Sequence, residues 1–477
     1  MTEEEGNREQ GNAQTTMPSA SNSSHLSRIL RTWWPLAASW GLMALELPAI
    51  SAVMARLADP QIHLAAWGGI VFPVALIVEA PVIMLLAAST ALSRDRQTFQ
   101  RVRTYMMWAG GSLTALHILV AFTPLYDVLV VGLIHPPPEI VEAARLGLRL
   151  MTPWTWSIAY RRFNQGALIR FGHSDAVGVG TVIRLSADAA VLVIGLALGS
   201  VPGVMVAGAA VSLGVISEAI YSGLRLRPVL RREMPERTAG GAPLDFRSFL
   251  GFYAPLAMTS LLLMLTLPLG SAAVSRMPRA LESLATWPAL AGLVFFFRAL
   301  GMSFNEVVVA RLEDPGAYPD LRRFTRILAA SVTAALALIA VTPLASLWFN
   351  GISGLPPDLA SLGRVALWAA LPLPALTVLQ SWYQGALVHA RRTRAVTEAI
   401  AINLGVLLIF FPVAIRLLGT GASAPMGGLT VTWGAFTLGN LAQTAWLRYR
   451  SRGVMAEARA RTAAPVIAIA TPEVIGG

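Results

Sequence analysis

The chain is a succession of long apolar runs, and nothing else in it restricts the fold so severely. The runs lie near 30–55, 66–92, 105–133, 139–168, 176–199 and 202–226. After a polar stretch at 227–247 they resume near 249–275, 285–312, 327–350, 359–388, 395–418 and 428–447. A helix of about 20 residues, rising ~1.5 Å per residue, crosses the ~30 Å hydrocarbon core of a bilayer. Only 13% of the residues are charged, against roughly 25% in a soluble domain. The expected fold is therefore an all-α polytopic membrane protein with twelve transmembrane helices. Several runs exceed a perpendicular crossing, so tilt or kinking is expected. Pro48, Pro153, Pro268 and Pro372 lie inside runs, where each removes a backbone hydrogen bond and bends its helix.

The runs fall into two sets of six because the sequence repeats itself. Gln165-Gly166-Ala167-Leu168 returns as Gln384-Gly385-Ala386-Leu387, Thr123-Pro124-Leu125 as Thr342-Pro343-Leu344 and Arg145 as Arg364, each 219 residues further on. Earlier in the chain the offset is 220, as Pro48 returns as Pro268, Arg56 as Arg276 and Trp67 as Trp287. A single insertion separates the two stretches. The period is far too long for a solenoid, so half of the protein is duplicated. Six crossings return the chain to its starting side, so the halves form parallel six-helix repeats about a pseudo-two-fold axis along the membrane normal. The Gln-Gly-Ala-Leu segments close the fourth and tenth spans. They read as helix-packing positions, since Gly and Ala permit close approach.

Arginine placement sets the expected orientation. Arg28, Arg31, Arg94, Arg96, Arg101, Arg103, Arg170, the 225–247 group, Arg322, Arg323, Arg326, Arg391, Arg392, Arg394, Arg448, Arg450 and Arg452 fall at one set of span ends. Arg56, Arg276, Arg279 and Arg416 fall at the other. Both termini and the linker are thus expected in the cytoplasm. The divisions are a disordered tail over 1–27, a first lobe over 28–226, a linker over 227–247, a second lobe over 248–447 and a tail over 448–477. The acidic 1–27 segment lacks the apolar core of a signal peptide.

Every one of the 37 basic Lys/Arg positions is Arg, and Cys is absent. A phosphate-gripping Lys, a Schiff base, a thiol nucleophile and a Cys metal site are excluded. The six His have no metal-ligand spacing. The net charge of +11 is accounted for by arginines at membrane edges, so nucleic acid is not an expected partner. No enzyme constellation is found. The expected partners are membrane lipid and a small-molecule substrate, with the chain monomeric and no cofactor.

The informative residues are ionisable groups deep in spans, which are rare because they are costly there. Glu46, Glu79 and Arg298 each lie ~15–18 Å from an end of their span. At an offset of 220, Arg298 corresponds to Val78, the neighbour of Glu79. Glu79 and Arg298 then either meet across a central cleft or pair separately within their own halves. Arg184 and Asp188 share one helix face, as a self-neutralising pair or as a site. Glu218 and Glu306 lie nearer the arginine-rich side, as structural or gate residues. Arg145, Arg149 and Arg364 sit at the opposite side, flanking a cleft or reaching the headgroups. Arg161 and Arg162 precede Gln165, whereas the second copy has Gln380 and Ser381. Glu46 likewise departs from Thr266.

Twelve spans in two parallel repeats, the long third span ending in Thr123-Pro124-Leu125 and the two Gln-Gly-Ala-Leu ends resemble the MATE-like (MOP) transporter superfamily. Its members include multidrug and toxic compound extrusion transporters, polysaccharide and lipid II flippases, and progressive ankylosis proteins. Glu46, the Leu64-Ala65-Ala66-Trp67-Gly68 segment and the Ser93-Arg94-Asp95-Arg96 loop look like the progressive ankylosis branch. The resemblance implies a V-shaped pair of bundles around a cleft lined by helices 1, 2, 7 and 8. It also implies alternating access and an acid of helix 1, here Glu46, used for H⁺ or Na⁺ coupling. Antiport of a small organic cation or anion out of the bacterial cytoplasm across the inner membrane is the expectation. A flippase for a lipid-linked intermediate, with Arg298 as a cavity arginine, is the alternative.

Overall fold

The computed structural model describes residues 23–236, 244–314, 316–418 and 427–463. Twelve rods follow one another: α1 (Ser23–Ala44 and Glu46–Met54), α2 (Pro60–Leu92), α3 (Arg96–Phe122), α4 (Pro138–Leu150 and Thr152–Arg170), α5 (Asp175–Leu198), α6 (Gly203–Arg232), α7 (Phe246–Met264 and Thr266–Val274), α8 (Ala280–Met302 and Phe304–Arg311), α9 (Ala317–Val341), α10 (Pro357–Ala370 and Leu373–His389), α11 (Arg394–Leu418) and α12 (Gly428–Ala463). No strand occurs among the described residues. Ten rods are long and apolar enough to cross a membrane, as expected of a multi-pass membrane protein. The other two, α4 and α12, are long enough but more polar. Arg145, Arg149, Arg161 and Arg162 dilute α4, and Asn440, Gln443 and Thr444 dilute α12.

The rods outrun the apolar runs. The first helix starts at Ser23, inside the stretch expected as a tail, and the last continues to Ala463. Packing accounts for the second extension: Val454, Met455 and Ala458 are buried in a cluster with Ile29, Leu312 and Leu321. The remaining residues of both tails, and the middle of the linker, lie outside the described residues. Helix starts carry local signals. Asp95 accepts from the Thr98 backbone N–H at 2.8 Å while the Thr98 hydroxyl accepts from the Asp95 N–H at 3.2 Å, a capping box opening α3. Asp245 caps α7 through Ser248, and those hydrogen bonds hold its carboxyl below the usual carboxylate range.

The duplication is visible in the backbone. Pro48 cannot donate to the carbonyl of Ala44, and α1 breaks at Leu45; Pro268 and Leu265 repeat this in α7, 220 residues on. The left-handed residues are matched too: Asp59 and Arg279 have φ of 47° and 56°, His135 and Gly354 of 55° and 67°, and Gly172 and Arg391 of 84° and 59°. The α3–α4 and α9–α10 hairpins both begin with a π-turn, Asp127–Val131 and Leu347–Ile352.

A third π-turn, Trp67–Val71 in α2, has no counterpart in α8, which is regular α-helix over Ala280–Met302. A π-turn holds one residue more than an α-turn. This is the insertion that changes the offset from 220 to 219. The next matched break confirms the count, since α2 breaks at Met84 and α8 at Ser303, 219 apart. Beyond the π-turn Arg298 therefore corresponds to Glu79 itself. The sequence expectation, which paired it with Val78, is corrected by one residue.

The two repeats exchange the first halves of their first helices. Trp33 of α1 donates to the Leu300 carbonyl of α8 at 3.1 Å and meets Phe324 of α9 edge-on at 5.5 Å. In return, α7 places Phe249 4.7 Å from Tyr105 of α3, and the Tyr253 hydroxyl donates to the Pro81 carbonyl of α2. Helix α8 is central: α1, α2, α9, α10 and α12 all pack on it.

Candidate functional site

Seven ionisable side chains gather inside the first repeat. Arg184 of α5 donates to Glu46 of α1, and its Nε lies 3.9 Å from Asp188 Oδ2, one turn along α5. Arg161 of α4 pairs with Glu218 of α6 at 2.5 Å, and Gln165, one turn further, donates to the same carboxylate at 2.8 Å. Glu79 of α2 is 5% exposed, and its Oε2 has no hydrogen-bond partner. The cations acting most strongly on it are Arg162 and then Arg161. Both Asp188 oxygens are likewise buried without a hydrogen bond, against Gly214 of α6. Four carboxylates (Glu46, Glu79, Asp188, Glu218) thus face three guanidiniums (Arg161, Arg162, Arg184). Ionised throughout, the cluster is one negative charge in excess. Burying ions uncompensated costs several kcal/mol each.

The second repeat carries neutral groups at the positions of these arginines. Gln380, at the position of Arg161, donates to the Asn440 carbonyl and the Thr444 hydroxyl of α12, both at 3.1 Å. Asn403, at the position of Arg184, donates to Gln443 at 2.8 Å. Asp188 and Glu46 are matched by Leu407 and Thr266, and Glu218 by Gln443, since α12 runs 225 positions behind α6. The deep charge of the second repeat is Arg298. Its Nε donates to the Thr377 hydroxyl of α10 at 2.9 Å, and among the described residues it makes no ion pair.

Glu79 and Arg298 consequently do not pair. Among the described residues neither forms an ion pair within its own repeat either: Arg298 bonds the neutral Thr377, and Glu79 Oε2 is left without a hydrogen bond. The Arg184–Asp188 couple is not self-sufficient either, because Glu46 is the nearer acid to Arg184. Glu218 is 1% exposed and belongs to the cluster, whereas Glu306 is exposed on α8. The arginines of the opposite end are tied locally. Arg145 bonds Asp127 at 2.7 Å and lies over the Tyr126 ring at 4.5 Å; Arg149 donates to the Ala121 carbonyl at 3.1 Å; Arg364 donates to Ser346 at 3.2 Å. They hold the α3–α4 and α9–α10 hairpins and stay outside the cluster. Arg161 and Arg162 are its members that sequence reasoning left off the candidate site. Their signal was the mismatch with Gln380 and Ser381.

The Gln-Gly-Ala-Leu ends combine packing with polarity. A Cβ on Gly166 would stand 2.3 Å from the Leu86 carbonyl, and one on Gly385 2.8 Å from Val308. Both glycines let α4 and α10 close onto α2 and α8, and in the first copy Gln165 also reaches Glu218.

The repeats are fastened together at their arginine-poor end. Arg56, closing α1, donates to its own Ala52 carbonyl and across to Gly351 and Ile352 of the second repeat at 2.7 and 3.0 Å. Arg276, closing α7, donates to its own Ala272 carbonyl and across to Leu133 and Ile134 at 2.7 and 2.9 Å. Each guanidinium satisfies carbonyls left open at a helix end. Between the two latches, Gly68 of α2 lies so near Pro288 of α8 that a Cβ would stand at 2.4 Å, and Ser271 of α7 donates to the Gly69 carbonyl.

No protein-family model matches the chain, and no curated protein matches it. Solved structures do, over nearly their whole length. An inward-facing multidrug resistance MATE family transporter of the MOP superfamily is similar with a TM-score of 0.61 and 16% identity, over 89% of this chain and 98% of that one. An outward-facing form of such a transporter gives 0.57 and 17%, over 91% and 97%. A MOP superfamily transporter from Pyrococcus furiosus gives 0.59 and 17%, over 91% and 97%. The fold is the MATE fold. At these identities the likeness speaks for architecture, and function rests on the residues above.

Proposed function

We propose that the protein is a secondary active transporter in which the two repeats rock about a midplane site, opening it to each side of the membrane in turn. The carrying observation is the surplus of buried acid in one repeat, together with a symmetric pair of arginine latches between the repeats at the arginine-poor end. A structural membrane protein has no use for Glu46, Glu79, Asp188 and Glu218 sharing three arginines at several kcal/mol per uncompensated ion. A cation-coupled carrier does, because binding H⁺ or Na⁺ completes the cluster and biases the balance between its two open states. The occurrence of both inward- and outward-facing forms among structures of this fold supports the same cycle.

In this reading the substrate is a small organic molecule exported in exchange for H⁺ or Na⁺. The multidrug role of the structural neighbours favours such cargo over a lipid-linked intermediate. The chain works as a monomer among lipids, with the arginine-rich end, both termini and the linker on the cytoplasmic side of a bacterial inner membrane. The progressive ankylosis branch is a narrower resemblance carried by Glu46, Leu64-Ala65-Ala66-Trp67-Gly68 and the Ser93–Arg96 loop. Purified protein in proteoliposomes tests the proposal. An imposed pH or Na⁺ gradient should drive saturable accumulation of labelled ethidium or citrate above protein-free vesicles. Passive equilibration alone, under both gradients, contradicts it.

A further inference from the structure

Arg298 stands apart from every other deep charge in the protein. It lies ~20 Å from the Arg311 end of α8, and α1, α2, α9, α10 and α12 surround that helix. Arg298 is half-buried, on the same helix as the half-buried Phe295, Met302 and Asn305. One nitrogen, Nε, is committed to Thr377, whose hydroxyl is itself anchored on the Leu373 carbonyl at 2.9 Å. The bond fixes the plane of the guanidinium and leaves its outer edge, Nη1 and Nη2, without a hydrogen bond among the described residues. Among the described residues no carboxylate lies within ion-pair distance of it, and Glu46 and Glu218 are held by Arg184 and Arg161. The repeat-equivalent position in the other wall holds Glu79, so one wall presents base where the other presents acid.

A planar guanidinium oriented by one fixed bond, with two free parallel donors, matches the two oxygens of a carboxylate or phosphate. From this geometry we infer that Arg298, oriented by Thr377, anchors the oxyanion of a small organic substrate. The inference rests on the transporter reading and narrows its cargo to molecules carrying a carboxylate or a phosphate.

Counterflow without any imposed gradient separates the two. Proteoliposomes are preloaded with unlabelled probe and offered the labelled form of benzoate, citrate, adenosine monophosphate or ethidium. Short-chain phosphatidate is added as a competitor to distinguish a lipid headgroup from a soluble acid as the source of the oxyanion. The wild type should exchange at least one of the soluble anions. Arg298→Gln should lower that exchange about 10- to 100-fold, the effect of losing one charge-assisted contact. Arg298→Lys should retain an intermediate rate, and Thr377→Val should raise the half-saturation concentration with a smaller effect on maximal rate. Competition by phosphatidate, lost in Arg298→Gln, assigns the same anchor to a headgroup. If Arg298→Gln does not fold, the Lys and Val variants carry the comparison. Anion exchange unchanged in folded variants overturns the inference. Exchange of ethidium alone overturns it too and leaves the transporter reading standing, whereas exchange of no probe overturns both.

Discussion

At the scale of single residues, charge placement separates the two repeats more sharply than any other feature. The contacts that join α4 to α6 through Arg161 and Glu218 are made between α10 and α12 by Gln380, Asn440 and Thr444. The neutral version shows that ions are not needed to hold these rods together. Removing one partner of a buried pair leaves the other uncompensated, at about 3–5 kcal/mol. Arg161→Gln and Glu218→Gln, each copying the second repeat, should therefore each destabilise the protein by about that much. The double variant should regain most of the loss, because both charges are gone. Thermal unfolding in detergent reads the cycle, and additive losses in the double variant would show that the two side chains act independently. The members of the cluster were legible in the sequence as deep charges, but their partners were not. Glu46 meets Arg184 across 138 positions and Arg161 meets Glu218 across 57, and no local pattern encodes such separations. Symmetry gave the better clue, since Arg161 and Arg162 broke it beside Gln165.

At the scale of helices, proline and glycine made much of the shape readable. Pro48 and Pro268 placed matched kinks, and Gly166 and Gly385 marked close approaches that the structure contains. A π-turn has no comparable signature. The sequence showed that one residue was inserted somewhere between Trp67 and Thr123, and only the backbone located it at Trp67–Val71. That shift of one residue changed the partner of Arg298 from a valine to Glu79. The latches belong to this scale as well. Arg56 and Arg276 looked like interfacial arginines, and their carbonyl partners 295 and 143 positions away could not be read. If they hold the arginine-poor end shut, losing them should favour the state open there. The chain has no Cys, so Glu139→Cys and Asp358→Cys, exposed and repeat-related on α4 and α10, can carry spin labels with no background. Arg56→Ala with Arg276→Ala should broaden that distance distribution towards longer values, and each single change should act less. An unchanged distribution in the double variant would remove the latch role.

At the scale of the whole molecule, two unequal repeats share one fold. The parallel-repeat architecture followed from apolar runs, an even number of crossings and a nearly constant offset. The exchange of half-helices did not, because Trp33 reaching Leu300 and Tyr253 reaching Pro81 are contacts between distant segments. The exchange bears on mechanism: α1 carries Glu46 in its second half while its first half packs on α8 and α9. A change in the charge of the cluster thus acts on a helix that belongs to both bundles. In the proposed cycle, the unequal distribution of charge, with the acid surplus in the first repeat and Arg298 in the second, would give the cation and the substrate separate walls.

Gradient-driven and gradient-free transport of one substrate, measured side by side in proteoliposomes, test this account most directly. Glu46→Gln and Glu79→Gln should each cut accumulation driven by the pH or Na⁺ gradient at least about tenfold, while counterflow of the same substrate stays within about threefold of wild type, corresponding to a change of under ~1 kcal/mol. Accumulation unaffected by both substitutions would contradict coupling through the buried acids of the first repeat.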